Sequence, residues 1–159
     1  MKFLKESCEI GIFRLFQCLI KGNSITEEGV TVSISNFEHD ELVLMVNLDI
    51  ERHHMPCLKH FVSLNSSVAL ADILLIYARK VSKSIRFKFF LLELGKHTES
   101  ELENKEKGSQ HLFQTLGLSI NPSKTFVIYR SRVHTLQFRN KRYEKIRPND
   151  LLKKLRGEI

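Results

Sequence analysis

The chain has no tryptophan and only three prolines, three cysteines and seven glycines among its 159 residues. Cys8, Cys18 and Cys57 are odd in number and irregularly spaced, which argues against a disulfide framework and makes a reducing, intracellular compartment the expectation. The scattered glycines match neither G-x-G-x-x-G nor P-loop spacing, so the usual phosphate cradles are missing. No apolar run approaches the roughly 18 residues that suggest a membrane-spanning helix. Lys2 and Lys5 precede an apolar run as in a signal peptide, but Arg14 and Gln17 interrupt it. No small-residue cleavage site follows before Lys21 and Gly22.

Catalytic signatures are missing as well. Cys57 has histidines nearby, yet no nucleophile elbow, oxyanion-type glycine turn or partnered acid accompanies it. Paired carboxylates occur between Glu99 and Glu106, in a segment without apolar periodicity where solvated charges make poor acid–base catalysts. The expectation is a protein that is not an enzyme. ERHHMPCLKH offers His53, His54, Cys57 and His60 as zinc ligands, but no second ligand pair completes a structural site. That stretch is expected to be a polar connection, with no metal and no cofactor.

What is present is a globular composition. Apolar residues make up 42% of the chain and include eleven phenylalanines, enough for one Phe-rich core without metals or disulfides. A single domain over residues 1–159 is expected.

Residues 2–20 place Leu4, Cys8, Ile12, Leu15 and Leu19 at helical spacing, stopped by Gly22 and Asn23. This N-terminal amphipathic helix, residues 1–22, either docks on the core or presents Phe3, Leu4, Phe13 and Phe16 to a membrane or partner. Val30, Val32 and Ile34 alternate with polar residues, and alternation resumes from Leu42 to Ile50. A hairpin pairing residues 30–35 with 42–50 is expected. VALADILLIYARKVSK, after the N-cap candidates Asn65 to Ser67, carries Leu70, Leu74, Tyr77 and Val81 on one helical face. Ile85, Phe87, Phe89 and Leu91 then alternate as a strand.

Residues 95–110 read as a mobile charged loop, and SQHLFQTLGL as a short helix ending at Gly117. TFVIYRSRVHTLQFR reads as one bent strand or two short ones. Pro148 opens a final helix with Leu151, Leu152 and Leu155 on its apolar side. The fold class expected is α+β, a mostly antiparallel sheet packed against helices.

Charge is concentrated. Between Lys124 and Ile159 eleven Lys and Arg face three acids, a surplus of eight that exceeds the +7 of the whole chain. This basic segment, 124–159, carries Arg130, Arg132, Arg139, Lys141, Arg142, Lys145 and Arg147. A second cluster, Arg79, Lys80, Lys83, Arg86 and Lys88, has no acid between Asp72 and Glu93. Both are expected to face a polyanion: nucleic-acid phosphate, contacted without base readout, or an anionic membrane surface. No signature of a sequence-reading RNA or DNA module is present.

The block LVLMVNLDIERHH, SSVALADILLIYARKVSKS, IRFKFFLLELGKHTES is ordered as strand, polar link, helix and strand. It resembles the central block of rhabdovirus matrix proteins over about a third of the chain, and MKFLKES resembles their short basic openings. PPxY-type and PTAP-type motifs and a Pro-rich N-terminal tail are absent, which suits a plant-infecting type. The resemblance implies a non-enzymatic viral matrix-type structural protein of the virion and host cytoplasm. It would be a homo-oligomer bridging nucleoprotein and RNA to anionic membrane as a peripheral protein. No site residue transfers with it. The alternative is a cytosolic nucleic-acid-binding or regulatory protein.

Overall fold

Three aliphatic- and aromatic-rich strands make the centre of the molecule. The computed structural model describes residues 24–27, 29–48, 68–129 and 137–159. The expected helix over 1–22, the His53–His60 set and the segment from Arg130 to Leu136 lie outside the described residues.

In chain order the elements are β1 (Ser24–Glu27), β2 (Val30–Ser33), β3 (Glu41–Asn47), β4 (Ile73–Val81), β5 (Ser84–Leu94), α1 (Glu99–Thr115), β6 (Lys124–Ile128) and β7 (Tyr143–Ile146). A 3₁₀ turn (Pro148–Asp150) and α2 (Leu151–Gly157) follow. Strands β3 to β7 form one sheet in sequence order. The two longest ladders, β3 with β4 and β4 with β5, are antiparallel. β6 and β7 add on in parallel, which requires a crossover after β5, and α1 supplies it. The α+β class and the mostly antiparallel sheet are as expected.

Side-chain alternation divides the core between the two faces of this sheet. Ile73, Leu75, Tyr77, Phe90, Leu92, Phe126 and Ile128 point to one side, where Val30, Val32 and Ile34 and α2 residues Leu151 and Leu155 cover them. Val46, Leu74 and Leu91 point to the other side and meet Leu112 and Phe113 of α1. The final helix thus forms as its leucine spacing predicts.

Three expectations are corrected. Residues 30–33 pair with β1, with Gly29 just before them at φ 75°, and β3 pairs with β4, so the expected 30–35/42–50 hairpin does not form. ILLIYARKV is a strand, not a helix. It is the second of five strands and buried on both faces, so its apolar run lacks the period of two that exposes a half-buried strand. A tight turn with Ser82 at φ 56° joins it to β5, which does form as expected.

The charged segment 95–110 is mostly helix. Thr98 and Glu101 make a capping box, and Leu102, Glu106, Gly108, Ser109, Leu112 and Phe113 are the buried positions. Half of those are polar or small, which hid the helical period. The expected end at Gly117 is correct. Gly117, at φ 72°, donates to Gln114 O, and Leu118 N donates to Phe113 O at 2.8 Å, closing a Schellman motif.

A candidate acidic–lysine centre at the end of the sheet

Glu93 is the acid in the apolar run FFLLEL, one residue before β5 ends. On a strand it must share a face with Phe89 and Leu91, so it points toward α1 with its side chain 1% exposed. Asp72 precedes β4 directly opposite that end, since Ile73 pairs with Leu92. Its carbonyl accepts from Leu48 N at 2.8 Å and its Oδ2 from Leu94 N at 2.8 Å. Asp72 is thereby fixed between β3 and β5.

The helix brings the cation. Lys105 Nζ lies 2.6 Å from Glu93 Oε2 and 3.3 Å from Asp72 Oδ1. His97, in the β5–α1 connection, places Nε2 3.4 Å from Glu93 Oε2. The ligand atoms of Asp72, Glu93 and His97 all lie within 4.8 Å of one another. Close docking of α1 sets this geometry. A Cβ on Gly108 would stand 1.9 Å from Ala69 O, and Ser109 Oγ accepts from Ala71 N at 2.9 Å. Both interactions grip the residues just ahead of Asp72.

Burial pushes the Glu93 carboxyl up to about 9, with repulsion from Asp72 adding to it and Lys105 opposing. For Lys105, burial works downward, but Glu93 and Asp72 outweigh it and the ammonium is raised. Glu93 Oε1 is buried without a hydrogen-bond partner among the described residues. Asp72, His97 and Lys105 are partly open to solvent, which leaves a way in.

The basic residues divide into engaged and exposed. Arg79 pairs with Glu38 at 3.0 Å and Asp40 at 3.5 Å. Arg142 pairs with Glu106 and donates to Pro122 O at 3.1 Å. Lys145 sits 4.7 Å over the Phe138 ring, which packs edge-on against Tyr143. These three therefore have structural partners. Lys80, Lys83, Arg86, Arg139, Lys141 and Arg147 are exposed and Lys88 half-buried. Arg130, Arg132, Phe3, Leu4, Phe13 and Phe16 lie outside the described residues.

A groove of about 470 Å³ lies beside α2, but the Lys124, Glu144, Lys154 and Glu158 lining it pair with one another. In the sequence Asp72 and Glu93 stand out only as the acids that bound a basic stretch. The available signal was a lone carboxylate inside an apolar strand, a position that burial disfavours unless the acid has work to do.

Comparison with family models, with curated proteins and with solved structures found no match for this chain. No helix among the described residues is long and apolar enough to cross a membrane.

Proposed function

We propose that the chain is a divalent-cation-dependent hydrolase of nucleic-acid phosphodiesters, centred on Asp72, Glu93 and Lys105. The observation that carries this reading is the buried Glu93 carboxyl group, with one oxygen unpartnered among the described residues and the other on Lys105, facing Asp72. Carboxylate oxygens are the ligands of hard cations such as Mg²⁺ and Mn²⁺. Asp72 and Glu93 would hold the ion, which when bound polarises a phosphoryl oxygen and lowers the pKa of water.

Lys105 brings a point charge suited to a phosphate oxygen, and His97 stands at the rim. Hydrolysis forms a P–O bond from water and breaks the P–O bond to a sugar oxygen, which takes up a proton. A net charge of +7 suits a polyanionic substrate. The alternative, a non-enzymatic matrix-type protein, rests on the sequence block quoted above, but the helix expected in the middle of that block is strand β4.

The test is cleavage of fluorescent single- and double-stranded DNA and RNA in Mg²⁺ or Mn²⁺, against EDTA and against Asp72→Asn. Cation-dependent cleavage lost in the variant is expected. Cleavage equal in wild type and variant, or none on any substrate, would overturn the reading.

A further inference from the structure

The apolar face that α1 covers continues past the helix. Register places Leu44, Ile76 and Phe89 in one row across β3, β4 and β5, and Leu42, Ala78 and Phe87 in the next. Ile76 and Phe89 still pack against the core under α1. Beyond them Leu42 is 53%, Phe87 60% and Ile85 71% exposed, and these are the exposed large hydrophobics among the described residues. Phe87 is held edge-on to Phe89 at 5.6 Å, so its orientation is set by a half-buried neighbour. Ala78, the small residue between Leu42 and Phe87, leaves the flank of the ring open.

Two lysines edge this row. Lys80 lies opposite Ile85 in register and shares its face, and Lys83 is in the turn. Arg86 and Lys88, next to Phe87 on β5, project to the opposite face. Neither Lys80 nor Lys83 makes an ion pair among the described residues, whereas Arg79 on the opposite face is paired with Glu38 and Asp40. An aromatic ring 60% exposed, on a three-stranded surface edged by Lys80 and Lys83, complements a strand of unpaired bases. The bases stack on the ring and the phosphates meet the ammonium groups. Phe87 and Glu93 project from the same face of one strand, six residues or roughly 20 Å apart at ~3.3 Å per residue.

We propose that Phe87, with Ile85, Lys80 and Lys83, is a stacking platform that engages single-stranded nucleic acid. The proposal rests on the reading of the Asp72–Glu93 centre as a phosphodiester-hydrolysing site, of which this would be the substrate-holding surface.

The experiment is fluorescence anisotropy with a fluorescein-labelled oligothymidylate in EDTA, where cleavage cannot interfere. It compares wild type, Phe87→Leu, Phe87→Tyr and the Lys80→Ala/Lys83→Ala double variant. Stacking predicts that Phe87→Leu weakens binding by roughly five- to a hundred-fold, the range set by removing one base–aromatic stack, while Phe87→Tyr restores it. The lysine variant should flatten the slope of log affinity against log salt by about 0.7 for each phosphate that is no longer neutralised. Binding is read in EDTA, apart from cleavage, so a failed cleavage assay and a failed platform are separate results. Equal affinity of Phe87→Leu and wild type overturns the proposal, as does absence of binding. So does flotation with phosphatidylserine vesicles that Phe87→Leu abolishes while oligothymidylate binding is unchanged, which would make the patch a membrane-facing surface.

Discussion

Lys105 Nζ stands 2.6 Å from Glu93 Oε2, joining the middle of α1 to the C-terminal end of β5. The ammonium faces two carboxylates at once, Glu93 and Asp72, and so would compete with any cation they hold. Replacing it by a neutral side chain of similar length separates its two roles. Lys105→Met should bind Mn²⁺ more tightly than wild type, yet lose cleavage. Calorimetric titration and the cleavage assay read the two effects. Weakened cation binding together with intact cleavage would show that Lys105 serves only the packing of α1.

The close approach of α1 to the strand leading into β4 gives a second prediction, in which two effects have opposite sign. Gly→Ala inside a helix ordinarily gains about 1 kcal/mol from propensity. At Gly108 the added Cβ would meet the Ala69 carbonyl at 1.9 Å, and backbone cannot yield as a flexible side chain does. Overpacking of this kind costs about 1–3 kcal/mol. Gly108→Ala should therefore lower thermal stability, measured by circular dichroism. A raised melting temperature would mean that helix and strand do not touch there.

At the other end of β3, Glu41 accepts from Arg156 Nε at 2.7 Å and Nη2 at 2.8 Å, and from the Tyr77 hydroxyl at 2.7 Å. The Arg156 bond holds its carboxyl at about 2 against an ordinary 4.5, with burial opposing and the Glu38 amide and Tyr77 assisting. In that window the unfolded chain binds a proton at Glu41 and the folded chain does not. The stabilisation is therefore complete above pH 4.5 or so and is lost as pH falls toward about 2. Glu41→Gln should be less stable than wild type at neutral pH, the difference shrinking on acidification. Urea denaturation at graded pH measures it, and a difference independent of pH would contradict the assignment.

The basic segment divides by its partners. Neutralising Arg139, Lys141 and Arg147, all exposed, should weaken oligonucleotide binding and change thermal stability little, since exposed charges contribute little to folding. Arg142→Ala should lower stability, because it removes the partner of Glu106 and the bond to Pro122 O. Glu106 also holds the Tyr143 hydroxyl at 3.0 Å. Equal stability losses in the two variants would argue against that division.

How far the sequence discloses the molecule depends on burial. β5, α2 and the α1 end at Gly117 are legible because each keeps one apolar and one polar face, or a turn residue that only one geometry explains. β4 is not, because burial on both faces removes the alternation and leaves spacings that also fit a helix. α1 is hidden for the opposite reason. Its inward positions include Glu106, Gly108 and Ser109, which pack by hydrogen bonding and close approach, not by apolar bulk. The centre escapes with them, since Lys105 reaches Glu93 only once α1 is a helix, and Asp72 reaches it only once residues 73–81 are a strand.

The claim that Asp72 and Glu93 hold a divalent cation is tested most directly by calorimetric titration of the metal-free protein with Mn²⁺ and Mg²⁺. Asp72→Asn and Glu93→Gln are measured alongside. Glu93→Gln keeps the shape of the side chain but leaves Lys105 with Asp72 as its carboxylate partner, so circular dichroism establishes that the variant is folded before its binding is read. Saturable binding in the wild type that both variants lose while remaining folded is the predicted result. Absence of binding in the wild type, or binding that both variants retain, would contradict the account.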